Sequence, residues 1–213
     1  MRRTYYIDKH PDRYDIVLWP MERVWFAKWR KRLLKRCSGS VLEIGSGTGV
    51  NLQYYPDPVR CVTAVDPSHM MITRLRKKAE INGWGDPEGK CLKTDIAHGE
   101  DLPFPDGEFD CAVITLILCS VEDPEKVIDE TIRTLKPGGS IIMMEHQLPV
   151  KPIQGAIFRG IAPIWHLPSG CNLDRKTQRM IGDMEDLRII EEERRGPVLG
   201  YPFYLAVIEK SEV

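Results

Sequence analysis

Residues 41–49 read Val-Leu-Glu-Ile-Gly-Ser-Gly-Thr-Gly, and the fold turns on this stretch. A short apolar run carrying one carboxylate leads directly into Gly45, Gly47 and Gly49. The run has the length and character of a buried strand. Glycines spaced two apart let the chain turn tightly, expose backbone N–H groups and admit a ligand against the main chain. In an open α/β sheet that point, beyond the carboxyl end of a strand, is where ligands bind. The spacing is not the G-x-G-x-x-G of dinucleotide folds, because the third glycine comes one residue early. A nicotinamide dehydrogenase is therefore disfavoured. A bare strand–helix turn would need neither three glycines nor an acidic residue inside the strand.

Working outward, apolar strands alternate with helices. Residues 61–65 (CVTAV) form a second strand ending at Asp66, and 69–82 a helix closed by Gly83. Residues 89–95 hold a third strand and 109–116 a fourth. Asp123-Pro124 pairs an N-cap with proline at the first helical position, opening a helix to about Leu135. Lys136-Pro137-Gly138-Gly139 ends it, and 140–146 (SIIMMEH) is a fifth strand. This alternation predicts a parallel sheet covered on both faces. Residues 147–173 break the rhythm with four prolines, as a lid or substrate wall does. Residues 174–184 read as helix, and 187–193 with 201–210 as a closing strand pair, the last antiparallel. Upstream, 20–36 read as an amphipathic helix with Pro20 near its start.

The chain has 213 residues and a net charge of −1, with 42% hydrophobic and 29% charged residues. That balance describes a globular domain and argues against a dedicated nucleic-acid binder. The charge is unevenly spread. Residues 1–50 carry eleven basic and five acidic groups, a surplus of six, which leaves −7 for the other 163. Trp19, Trp25, Phe26 and Trp29 lie among those basic groups. Such a segment reads either as an ordinary packed amphipathic helix or as a contact for an anionic membrane surface.

Cys37, Cys61, Cys91, Cys111, Cys119 and Cys171 include no C-x-x-C pair and no zinc-finger spacing, so the expectation is no metal. Cys61, Cys91, Cys111 and Cys119 sit in or beside apolar strands and read as reduced, buried thiols. Residues 1–15 lack a signal-peptide core and no apolar run reaches 18 residues. The expectation is a cytoplasmic protein, peripheral at most to a membrane.

E-x-G-x-G-x-G followed by VDPS (65–68) resembles class I S-adenosylmethionine-dependent methyltransferases. GEDLPFPDGEFDCAV (99–113) and LKPGG (135–139) resemble the ubiquinone/menaquinone methyltransferase branch. The resemblance implies a Rossmann-like, seven-stranded, mostly parallel sheet sandwiched by helices. It implies a helical cap at 1–38, the cofactor-binding domain at 39–213 and a lid inserted at 147–173. The implied cofactor is S-adenosyl-L-methionine, with S-adenosyl-L-homocysteine as product. Glu43, Gly45 and Ser46 would lie near its amino-acid end, with Gly47 and Gly49 making room and Asn51, Leu116 and Tyr14 beside it. Asp66 would bind the ribose, the alternative being an N-cap for the helix starting near Ser68. Pro67 and Met71 would pack on the adenine. Where the branch has Asp-Ala-Glu, this chain has His98-Gly99-Glu100, so backbone around His98 and Gly99, with Asp95 three residues earlier, would read the adenine edge.

LILCSV (116–121), MEH (144–146) and IWHLPSGCNLDR (164–175) resemble the animal thiol methyltransferases and their bacterial relatives. That narrower resemblance implies a thiol or amine of a small apolar or lipid-like molecule as acceptor. Such a nucleophile needs alignment and a mild base. His146 and Tyr14 are the candidates for catalysis. His146 reads equally as a structural hydrogen-bond former. Trp165, His166 and Cys171 are candidate substrate contacts, Cys171 reading also as a thiol in a tight turn, and Cys119-Ser120 is pocket wall. A phospholipid (phosphatidylethanolamine) N-methyltransferase is a second reading, and a cofactor-binding regulatory protein without turnover a third. No RNA-binding module is legible, so no nucleic-acid partner is expected.

Overall fold

The computed structural model describes residues 11–85, 90–149, 151–196 and 203–211. Its strands are β1 (Gly39–Ile44), β2 (Val59–Val65), β3 (Cys91–Asp95), β4 (Phe109–Thr115), β5 (Leu135–His146), β6 (Leu187–Arg195) and β7 (Phe203–Lys210). They form one sheet in the order β3-β2-β1-β4-β5-β7-β6. The first five strands are parallel, and β7 runs antiparallel between β5 and β6. The chain reverses direction across the sheet between β1 and β4, which places a crevice beyond their carboxyl ends.

The helices are α1 (Pro11–Met21), α2 (Ala27–Leu34), α3 (His69–Ile81), α4 (Pro124–Thr134), α5 (Pro152–Ser169) and α6 (Thr177–Gly182). Alternation along the strands sends side chains to two cores. Val41, Val62, Val113, Ile142 and Met144 meet Phe26, Leu34 and Leu75 on one face. Leu42, Ile44, Ala112, Ile114, Ile141 and Met143 meet Val127, Ile128 and Ile181 on the other. Asp123 caps α4 by accepting a bond from the Lys126 N–H, as the Asp-Pro pair predicts.

Several boundaries differ from the sequence expectation. The N-terminal helix begins at Pro11, with Pro20 inside it, and a π-helical turn over Glu22–Phe26 joins it to α2. The wide turn directly follows Pro20, whose ring and missing N–H disrupt the regular ladder. β5 begins at Leu135 rather than at 140, because Leu135 pairs with Phe109 before a bulge restores register at Ser140. Residues 152–169 of the inserted segment form a continuous helix, opened by Pro152 and closed by Gly170 at φ 69°. The helix expected over 174–184 shrinks to Thr177–Gly182, since the Arg175 carbonyl accepts instead from the Leu148 N–H.

The cysteine reading needs two corrections. Cys61 and Cys91 face each other in register on β2 and β3 and are joined by a disulfide. Cys91 is exposed on the edge strand, so these two are not buried thiols. The cysteines therefore supply no argument for a reducing compartment. Cys37, Cys111 and Cys119 are free and buried. No described helix is long and apolar enough to cross a membrane.

The second half of the N-terminal segment is held to the sheet. Phe26 and Trp29 pack on Phe203 of β7, with ring centroids 5.1 and 5.4 Å away. Arg32 pairs with Glu193 at 2.6 Å and Arg36 with Glu191, both on β6. Part of the basic surplus is thus neutralised within the molecule.

Candidate functional site

Gly45, Gly47 and Gly49 all have positive φ, at 66°, 53° and 77°. A side chain at any of them would be strained. At Gly45 a Cβ would also lie 2.6 Å from Ile117 Cδ1, so the glycine loop touches the loop that follows β4. At Gly47 a Cβ would meet nothing within 4 Å, and this glycine borders open space. The loop rims a cleft of about 240 Å³ also lined by Asp15, Trp19, Arg30, Asn51 and Thr115. A larger cleft, about 350 Å³, lies between α4 and α6 and shares no residue with the glycine loop.

Beneath the cleft the polar groups form one network. Glu43 is buried, accepting from Asn51 Nδ2 at 2.9 Å and the Tyr55 hydroxyl at 2.8 Å. Burial pushes its carboxyl up to about 7 against the lowering effect of those donors. Arg30 of α2 is also buried and donates to Asn51 Oδ1 at 2.7 Å and Thr115 Oγ1 at 3.0 Å. Asp15 of α1 accepts from Thr48 Oγ1 at 2.7 Å and pairs with Lys78 of α3 at 3.3 Å. The N-terminal helices therefore reach the cleft through Asp15, read from the sequence only as the partner of Tyr14 in a Tyr-Asp pair resembling the family's, and Arg30, not singled out from the sequence. A buried arginine carries no periodicity signal, and Asp15 shows its use only once Thr48 and Lys78 stand beside it.

Asp66 ends the β2 run. Its carboxylate accepts from the Gly47 N–H at 3.0 Å and the Ser68 N–H at 2.8 Å. Ser68, not Asp66, is the N-cap of α3. Pro67 is exposed beside it and Met71 is buried. Asp95 and His98 follow β3 on the same edge and are exposed. Gly99 is buried, where a Cβ would meet Ile44 and Val127 at 3.0–3.2 Å, so packing explains this glycine. A carboxylate at the end of β2, an open Gly47 and the buried Arg30 lining the cleft are groups that an adenosine bearing an amino-acid tail could use.

Past β4 the main chain is strained. Leu116, at φ 60°, is the one non-glycine residue with positive φ among the described residues. Its N–H donates to the Met144 carbonyl. Glu145, fully buried on β5, accepts from the Ile117 and Leu118 N–H groups at 2.6 and 3.1 Å and so fixes this loop. Burial pushes its carboxyl up to about 8. The side chain of His146 points the other way. His146 Nε2 lies 2.8 Å from Cys171 Sγ, and Cys119 completes a cluster whose donor atoms all lie within 4.8 Å of one another. A hydrogen bond with Cys171, then burial, hold the Cys119 thiol well above its ordinary range. The absence of zinc-finger spacing along the chain does not bear on this grouping, whose members lie 27 and 25 residues apart in the sequence. His166 is half-buried on α5. The side chains of Tyr14 and Trp165 lie outside the described residues.

A family model described as a methyltransferase domain matches residues 42–143. The human thiol S-methyltransferase TMT1B is 36% identical over 173 residues, covering 78% of this chain and 68% of its own. The phosphatidylethanolamine N-methyltransferase of Cereibacter sphaeroides is 31% identical over 159 residues, 75% of each chain. The solved structure of geranyl diphosphate methyltransferase in complex with SAM superposes with a TM-score of 0.70 at 15% identity, over 89% of this chain and 86% of that one. The chain belongs to the class I S-adenosylmethionine-dependent methyltransferases. It spans 57–68% of the length of the mammalian thiol S-methyltransferases it matches.

Proposed function

We propose that this chain transfers a methyl group from S-adenosylmethionine to the thiol of a small apolar or lipid-like acceptor. The observation that carries the reading is the character of the groups past β4 and β5. His146, Cys119 and Cys171 stand there together, while the neighbouring carboxylate, Glu145, is spent on two backbone N–H groups. A thiol needs only a mild base to give the thiolate, and imidazole serves near neutral pH. The bound cofactor supplies a sulfonium methyl for in-line displacement. The chain aligns it: Asp66 holds the ribose, the Gly45–Gly49 loop receives the tail, and Arg30 faces its carboxylate. The 1–38 segment, through its described helices, acts as the cap over that cleft and 147–173 as the lid on the acceptor side, residues 1–10 and 150 lying outside the described residues. The thiol S-methyltransferase relatives support the acceptor class.

A second reading, methylation of phosphatidylethanolamine at a membrane surface, has its own observation. Ile153, Ile157, Ile161 and Ile164 recur at helical spacing on α5 and are 76, 57, 44 and 74% exposed. An uncovered isoleucine stripe of that kind is a surface for lipid. Labelled-methyl transfer to a panel of alkyl thiols, amines and phosphatidylethanolamine vesicles separates the readings. Thiol methylation supports the first, and label confined to the phospholipid replaces it with the second. Cofactor binding with no product on any acceptor points to a regulatory protein and ends both.

A further inference from the structure

We propose that Cys119, His146 and Cys171 form a zinc-class metal site whose open fourth position receives the acceptor thiol. The metal site stands on the cluster itself. Its use for the acceptor rests on the methyl-transfer reading above.

The cluster has the donor set of a catalytic zinc site, two thiolates and one imidazole with a vacancy for substrate. A tetrahedral zinc, with Zn–S about 2.3 Å and Zn–N about 2.0 Å, places its ligand atoms roughly 3.5–3.8 Å apart. The three donor atoms lie within 4.8 Å of one another, and the His146–Cys171 pair is at 2.8 Å. Shifts of about an ångström reach the coordinated geometry.

Second, the scaffold around the donors is built. The Cys119 carbonyl accepts from both the Asn172 N–H at 2.7 Å and Asn172 Nδ2 at 2.9 Å. The Gly170–Asn172 turn is thereby fastened to the loop after β4. Arg175 Nη2 donates to the Val121 carbonyl at 2.9 Å, and the Arg175 carbonyl accepts from the Leu148 N–H at 2.8 Å. Gly170 turns the chain out of α5 in the left-handed conformation that brings Cys171 back to the sheet. Three remote segments are thus held in place by bonds from their neighbours, which is how metal ligands are oriented. Cys37 and Cys111 show the contrast. Their sulfurs are 3.6 Å apart but lie in the apolar core with no imidazole beside them.

Third, the location suits an acceptor. Cys119 lies two residues beyond Ile117, whose side chain meets Gly45 of the glycine loop, and His146 is the last residue of β5. The cluster therefore stands past the ends of β4 and β5 beside the loop that meets the glycine loop, although none of its three members lines the cleft itself. With His146 Nε2 on the metal, the metal replaces the imidazole as the group that activates the thiol: coordination would replace a zinc-bound water with the acceptor sulfur and release the thiol proton to solvent. The thiolate lone pair then forms a bond to the methyl carbon. The carbon–sulfonium bond breaks, and its electron pair stays on the departing thioether sulfur of S-adenosylhomocysteine. The methylated acceptor, now a neutral thioether, is a poor ligand and leaves.

The test uses the full chain, loaded with zinc or cobalt and dialysed. One metal per chain is expected, with a sulfur-to-cobalt charge-transfer band in the cobalt form. C171S and H146A each weaken zinc binding by about a hundredfold or more. C111S keeps full occupancy, which rules out adventitious thiol capture. Chelation abolishes thiol methylation and leaves S-adenosylhomocysteine binding intact. Substoichiometric metal, a cobalt spectrum without thiolate character, or occupancy unchanged in C171S and H146A overturns the site. A Cys119–Cys171 disulfide in the purified protein also overturns it. Metal bound at the cluster with no thiol methylation leaves the site standing and defeats the methyl-transfer reading instead.

Discussion

The two halves of the site are held in different ways. The cofactor half is built from main chain. Three left-handed glycines, the N–H groups of Gly47 and Ser68 on Asp66, and the end of β2 make it. The half we propose for the acceptor is built from side chains that converge from three remote segments onto Cys119, His146 and Cys171. A main-chain cradle accepts most substitutions that spare its glycines and the Asp66 carboxylate that its N–H groups hold. A side-chain cluster fails when any one member is lost, yet it leaves the other half intact. The halves meet where Gly45 touches Ile117, and both depend on the cap and on β5 beneath them.

The largest expected effect strikes both halves together. Phe26→Ala removes a fully buried ring packed on Phe203 and should cost about 3–5 kcal/mol, read from denaturant midpoints. A loss under about 1 kcal/mol would mean the cap is an appendage and not part of the core.

Gly45→Ala acts at the seam. It forces a side chain into a left-handed position and against Ile117, and should cost about 1–3 kcal/mol while weakening S-adenosylhomocysteine binding. If only stability fell, the seam would be structural and the halves uncoupled.

A smaller effect follows from the buried acids of the two halves. Glu43 titrates at about 7 and Glu145 at about 8 in the folded chain, against 4.5 for an ordinary glutamate. The folded state keeps protons that the unfolded chain has released, so their contribution is complete below pH 4.5 and is lost as pH rises to about 8. Melting temperature should fall across that window in wild type. Glu145→Gln should flatten the slope across the whole window up to about pH 8, and Glu43→Gln only the part below about pH 7. An unchanged slope in both variants contradicts the burial argument.

The smallest effect lies outside both halves. Arg36→Ala breaks an exposed pair with Glu191 and should change stability by less than about 1 kcal/mol.

The same division explains what was legible in the sequence. The glycine loop, Asp66 at the end of its strand and the alternation of strands with helices on that side follow from contiguous residues, because turn chemistry and strand burial are local. The Asp123-Pro124 start of α4 was legible for the same reason. The Cys119–His146–Cys171 cluster was not, since nothing along the chain brings positions 27 and 25 residues apart together until β4, β5 and the turn after α5 are in place. Arg30 was invisible for a related reason. On α2 it reads as one more basic residue, and only burial against Asn51 and Thr115 sets it apart. The continuous α5 was obscured by Pro163 and Pro168, which read as breaks along the chain yet both lie within the helix. The Cys61–Cys91 pairing needed the register between β2 and β3, which periodicity does not supply.

The most direct test of the two-part site is calorimetric titration of S-adenosylhomocysteine into wild type, Asp66→Ala and Cys171→Ser. The account predicts one site in wild type. It predicts affinity reduced by about ten- to a hundredfold in Asp66→Ala, the cost of hydrogen bonds to a charged group. It predicts affinity within about twofold of wild type in Cys171→Ser, because that residue serves the other half. Absence of binding in wild type, or equal losses in the two variants, would contradict it.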